Sequence, residues 1–191
     1  MTPNTPQGVP EKKKMSTTAI VLIVLAIGGG AALCCIGTLA AIAVPNFMKF
    51  QARSKQSEAK MNLKGAFTAE KSWFAERDAY SESFAEVGFI PERGNRYMYV
   101  LSPAADANSK IDADGKYTPD NSAYLAAIPR ELLSDLGVQG TCPNDCHITI
   151  VAVGNVDNDP DVDLWSISSV ERTIDGTLVP AGQPYNHHSD I

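Results

Sequence analysis

The hydrophobic pattern of this 191-residue chain falls into three stretches. Ala19–Val44 is 26 residues without a charge. About 20 apolar residues suffice to span a bilayer, so the run predicts a membrane helix with room to tilt. A signal-peptide core is shorter, roughly 7–15 residues, and ends at a small-residue cleavage site. From Asn46 to Glu76 the chain is rich in Ala, Lys, Gln, Glu, Met and Leu, all good helix formers, so the helix is expected to continue past Pro45. At about 100° per residue, one face of this second stretch collects Ala52, Ala59, Leu63, Ala66, Phe67, Trp73 and Phe74. That face predicts a packed head, mostly near the C-terminal end. The opposite face collects Phe47, Phe50, Ser54, Met61, Gly65, Thr68 and Ser72. A lone surface helix presents a polar back. An uncharged one predicts either neighbouring copies over it or, for Phe47 and Phe50, contact with lipid.

After Arg77 the period changes. Tyr97–Leu101, Tyr124–Ile128, His147–Val153 and Leu164–Ser169 are short runs rich in Val, Ile, Tyr and Trp, bounded by Gly, Pro, Asn and Asp. They predict strands, joined in sequence into an antiparallel sheet. Arg130–Leu136 adds one or two helical turns, and Pro180–Ile191 reads as loop. The expected organisation is a cytoplasmic tail (1–18), a transmembrane helix (19–44), an amphipathic extension (45–77) and a β-rich extracytoplasmic head (78–191). The fold class is α+β, with the long N-terminal helix packed on a small antiparallel sheet.

Charge sharpens the picture. Residues 45–77 hold seven Lys/Arg against three acids, a net +4, whereas residues 97–191 hold four against fourteen, a net −10. A basic rod and an acidic head predict electrostatic packing between copies. The acidic head also argues against nucleic acid as a partner, because phosphate contacts need Lys and Arg. Lys12–Lys14 precede the apolar run and lean towards a cytoplasmic N-terminus. Lys49, Arg53 and Lys55 follow it closely and blunt that signal.

Four cysteines divide into two pairs. Cys34 and Cys35 lie in the apolar run and read as small apolar fillers. Cys142 and Cys146 flank Pro143-Asn144-Asp145 in a polar stretch. They read as a small disulfide, which requires an oxidising compartment, or as half of a metal site that lacks its second cysteine pair.

Glu70 falls within the head-facing stripe and needs a hydrogen bond or a cation there, supplied by an Arg or a backbone group of the head. Asp157, Asp159, Asp161 and Asp163 alternate, so an extended segment would place them on one face. They are either a calcium loop, with Ca2+ offsetting their repulsion, or a solvated acidic turn around Pro160. The spacing is not that of an EF-hand. His187, His188 and Asp190 could hold a metal, but adjacent histidines in a loop-like tail more often do nothing. No Gly-x-Ser-x-Gly, Walker or Rossmann pattern is present, and no spacing links a histidine to a nucleophile, so no enzyme activity is expected.

The stretch AAIAVPNFMKFQARSKQSEAKMNLKGAFTAEKSWFAE, Ala40–Glu76, resembles the N-terminal helix of type IV pilins and type II secretion pseudopilins. GNVDNDPDVDLWSIS, 154–168, is similar to the C-terminal strands of small bacterial pilins. The resemblance implies a helix half in the inner membrane and half packed on an antiparallel sheet. It also implies assembly with further copies or other pilins into a cell-surface filament, through the face carrying Pro45, Phe47, Phe50 and Met61. Gly37 and Pro45 match positions where that helix is often weakened in assembled pili, and some pseudopilins bind calcium in a C-terminal loop. Members of the family carry a leader ending in Gly, cut before Phe or Met, with a Glu five residues into the mature chain. Aligned on Pro45, the cut falls between Ile23 and Val24 and the Glu at Gly28. These residues predict that the chain keeps residues before Val24. The alternative function is therefore a membrane-tethered sensor or adhesive module that keeps the helix and does not polymerise.

Overall fold

The computed structural model describes residues 16–94, 96–103, 110–111, 125–156 and 161–189, with the side chains of residues 19 and 31–33 left aside. The chain divides into two compact units, Met1–Phe47 and Met48–Ile191. The first is helical from Thr17 on, as the N-terminal part of α1 (Thr17–Arg77). Its described side chains are all exposed, and it contains the segment long and apolar enough to cross a membrane. Pro45 sits inside α1 and has no N–H to offer the preceding turn, a defect the helix tolerates.

In the second unit, α1 continues from Met48 and ends where Asp78 turns left-handed at φ 55°, its N–H bonding the Phe74 carbonyl at 2.9 Å. A left-handed residue just past the last turn is a common helix stop, and Asp tolerates it better than most side chains. Ala52, Gln56, Ala59, Leu63, Ala66 and Glu70 recur every three or four residues and are all buried. Three of the six are alanines, which let the sheet approach closely.

The sheet runs β2 (Lys110–Ile111), β1 (Tyr97–Val100), β4 (Asp145–Gly154), β5 (Asp163–Ser168), β8 (Tyr185–His188), antiparallel at every step. β4 is long enough to share one edge between two partners. Its last four residues pair with β1, and Asp145–Thr149 pair with β3 (Gly137–Thr141). A separate hairpin joins β6 (Arg172–Ile174) to β7 (Thr177–Val179).

Alternation along the strands builds two cores. Tyr97, Tyr99, Ile148, Ile150, Ala152, Trp165 and Ile167 pack with the α1 stripe, capped by Phe84 and Phe89 from the loop after the helix. Met98, Val100, Val151, Val153 and Leu164 point the other way and meet Leu132 and Leu136, from and just after the short helix α2 (Arg130–Asp135), with Ile128.

Five features differ from the sequence reading. Leu125–Ile128, expected as strand, is helical and turn, closed by the Ile128 N–H on the Leu125 carbonyl at 3.2 Å. Tyr124 lies outside the described residues. β2, β3 and the β6–β7 hairpin were not expected. The tail read as loop contains β8, whose sequence Tyr-Asn-His-His has no apolar alternation and which is held by pairing with β5.

Candidate assembly surface

Every residue assigned to the outward stripe of the helix is exposed: Phe47 in the first unit, and Phe50, Ser54, Met61, Gly65, Thr68 and Ser72 in the second. Phe50 is 69% and Met61 72% exposed, unusual for such side chains on a folded unit. The helix has spent its apolar alanines and leucine on the sheet and still shows large apolar groups on its back. Beside Met61, Lys60 and Lys64 form one wall of an open cleft of about 590 Å³, and Ala181–Pro184 form the other. Lys60 also lies 4.7 Å from the centre of the Trp165 ring, a cation–π contact that steadies it.

The stripe is held in place by a polar joint beneath the helix. Asp163, at the start of β5, is fully buried. It accepts hydrogen bonds from Tyr97 Oη at 2.6 Å, Gln56 Nε2 at 3.0 Å, Asn186 Nδ2 at 3.1 Å and the Trp165 indole N–H. One carboxylate thus ties α1 to β1, β5 and β8. It lies inward, while Asp161 is exposed on the preceding loop. Asp157 and Asp159 lie outside the described residues. The oxygens of Asp163 are taken by protein donors, so a calcium loop would draw on the other three carboxylates. A rise in melting temperature with calcium over chelator at constant ionic strength is the response such a loop requires.

At the far end of the helix Glu70 is also fully buried. Its Oε2 accepts the Ser81 backbone N–H at 3.0 Å, a backbone group as expected. Oε1 has no hydrogen-bond partner among the described residues. Burial, opposed by the Ser81 N–H and aided by Glu86, pushes the carboxyl up to about 8. Glu86 itself accepts the Ser81 hydroxyl at 2.6 Å.

On the α2 side of the sheet, Asp135 gathers His147 Nε2 at 3.0 Å, the Thr149 hydroxyl at 2.9 Å and Arg172 Nη1 at 3.7 Å. Arg172 Nη2 donates to Ser166 at 2.9 Å, and His187 Nε2 lies 2.7 Å from the same hydroxyl. Burial, with Arg172 nearby, drives the His187 imidazole down to about 4. It is therefore uncharged at neutral pH and is part of this network. His188 is exposed, and Asp190 lies outside the described residues. Sequence reasoning missed this cluster because its members come from α2, β4, β5, β6 and β8. The Asp175-Gly176 pair was a usable signal, since Asp-Gly is a strong tight-hairpin sequence. Both residues are left-handed there, at φ 50° and 74°, and the hairpin carries Arg172.

Cys142 and Cys146 are joined in a disulfide, with Cα atoms 4.9 Å apart, across the turn of the β3–β4 hairpin. Gly140 precedes the turn at φ +82°, and a Cβ there would come within 1.9 Å of the Asp145 carbonyl oxygen, so only glycine fits. An impermeant thiol reagent on intact cells should leave Cys142 and Cys146 unmodified until a reductant is added, read by peptide mass mapping. Labelling of either without reductant would count against the bond.

The uncharged outer helix face, the helix-on-sheet layering and the disulfide-closed head define a pilin. A family model for type IV pilin PilA matches residues 50–125. The type IV major pilin protein PilA of Myxococcus xanthus (strain DK1622) is 41% identical over 193 aligned positions, covering 82% of this chain and 86% of that one. The chain belongs to the type IV pilin family. Pilins are structural proteins, not enzymes.

Proposed function

We propose that this chain is a subunit of a cell-surface filament, anchored by its N-terminal helix and assembled through it. Residues 1–18 form the cytoplasmic tail, 19–44 span the inner membrane once, 45–77 extend the helix, and 78–191 form the head outside the cytoplasm. Pro45, Phe47, Phe50 and Met61 lie on the assembly face. The observation that carries this reading is the exposed, uncharged back of α1, where Phe50 and Met61 are left in water by the isolated fold. A second copy, or another pilin, laid along that back would remove them from water, at roughly 25 cal/mol per Å² buried.

Met61→Asp and Phe50→Asp should leave folding and membrane retention unchanged, because neither side chain contributes to the core. Each should cut the filament fraction about tenfold or more, since a carboxylate buried without a partner costs several kcal/mol. Filament yields equal to the unsubstituted chain would remove the stripe from the assembly surface. A second reading, a tethered sensor or adhesive module, is favoured by Gly28 standing where the family has Glu. It predicts that no filament carries this chain at all.

A further inference from the structure

We infer that the cleft walled by Lys60, Met61 and Lys64 on α1 and by Ala181–Pro184 is the docking site for a carboxylate-bearing part of a second copy's head. The inference rests on the proposed assembly and adds where the charged contact is made. Seven cations lie along α1 between Lys49 and Arg77, and among the described residues none has a carboxylate within ion-pair distance. Several are occupied within their own fold. Lys55 donates to the Val156 carbonyl, Lys71 to Tyr80 Oη at 3.1 Å, and Arg77 lies 4.5 Å from the centre of the Trp73 ring. Lys64 is exposed at the mouth of the cleft, one turn from Lys60.

Among the described residues no acidic side chain lines the cleft, so none of them in its own walls offsets the two ammonium groups. The complementary charge is on the same molecule but elsewhere, in a head of net −10 from residue 97 on. Exposed carboxylates include Glu131 on α2, across the sheet from α1, and Asp175 at the β6–β7 turn. A basic cleft and an acidic surface at different places on one chain cannot satisfy each other within a copy. They can between copies, and such a heterologous contact propagates into an open helical array when the rotation does not close. Met61, exposed in the same cleft, gives the contact an apolar floor, which lowers the local dielectric and strengthens the ion pair. Lys60 is the less mobile of the two cations because it rests on Trp165.

Filaments sheared from cells that co-express two forms of the chain, distinguishable in peptide mass by conservative substitutions outside the cleft, should be treated with a zero-length carbodiimide and mapped by mass spectrometry. The expected product is an amide between Lys64 or Lys60 of one copy and an Asp or Glu of the other. Lys64→Glu should lower filament yield about tenfold, since like charge at a contact is repelled, and Lys64→Gln should fall between. Unsubstituted filaments should loosen as salt rises. Mixed-copy crosslinks that avoid both lysines, with Lys64→Glu filaments as abundant as the unsubstituted ones, would overturn the docking site and leave assembly standing. Crosslinks from these lysines to a different protein would overturn the choice of a second copy. Absence of the unsubstituted chain from sheared filaments would remove the assembly reading on which the site depends.

Discussion

An Asp163→Ala chain should unfold with a stability lower by about 4 kcal/mol, because four donors lose their common acceptor at once. Tyr97, Gln56, Asn186 and Trp165 all converge on this carboxylate from β1, α1, β8 and β5. A hydrogen bond to a charged group contributes roughly 1.5–3 kcal/mol net, and a buried donor left unpaired costs about 1–3 kcal/mol. These costs do not add in full, since the joint can relax and admit water. Domains of this size are stable by only about 5–15 kcal/mol, so the loss is a large fraction of the whole. Asp163→Asn keeps one acceptor oxygen and the shape but turns an NH₂ towards other donors, and should cost about half as much. Asp161→Ala, on an exposed position, should stay within about 0.5 kcal/mol. Chemical unfolding of the detergent-solubilised chain, followed by the fluorescence of Trp73 and Trp165, measures all three. Equal stability of the Asp163→Ala and Asp161→Ala chains would show that the joint does not hold helix to sheet.

The second large effect is a dependence on pH through Glu70. Its carboxyl is raised from 4.5 to about 8, by burial first, with Glu86 adding and the Ser81 N–H opposing. Below the unfolded value both states carry the proton and folding incurs no penalty. Between the unfolded and folded values the unfolded chain releases the proton while the folded chain keeps it. Stability therefore falls as pH rises through this window, by up to about 1.4 kcal/mol per pH unit, and levels off above about pH 8. The total is at most on the order of 5 kcal/mol. Glu70→Gln keeps an acceptor for the Ser81 N–H and carries no charge at any pH. Its unfolding free energy should lack this slope, so its advantage over the unsubstituted chain should open between pH 5 and 8. Parallel profiles for the two chains would mean that the loop after α1 opens and hydrates the carboxyl. The link between α1 and that loop is then looser than the 3.0 Å bond to Ser81 implies.

The helix was the most legible part of the fold. Its two faces followed from a 3.6-residue period: Ala52, Ala59, Leu63 and Ala66 are buried and Phe50 and Met61 exposed as the pattern requires, whereas Phe67, Trp73 and Phe74, at the C-terminal end where packing was expected to be strongest, are only half-buried. β1 and the later part of β4 were legible because both their faces are covered and their sequences are apolar runs, and β5 because Leu164, Trp165 and Ile167 mark it among its polar residues. β8 was not, since Tyr185–His188 gains its conformation from the free edge of β5 and from Ser166 bonding His187, not from its own propensity. Leu125–Ile128 misled because a short apolar run does not reveal its period. Its two alanines favour the turn that leads into Pro129 and α2. Asp163 was noticed as one of four alternating acids, yet its role depends on Gln56 and Tyr97, 107 and 66 residues away in sequence. No local pattern contains such partners. The disulfide was legible because five consecutive residues, Cys142 to Cys146, carry the whole signal.

As a filament subunit, this type IV pilin should leave the membrane as part of a filament. Cells carrying the chain and its assembly machinery should be sheared and fractionated, and both fractions probed with antibody to the head. The chain should appear in the sheared filaments as well as in the membrane. Its confinement to the membrane fraction, with filaments of other subunits present in the shear, would contradict assembly and leave a tethered module with a pilin fold.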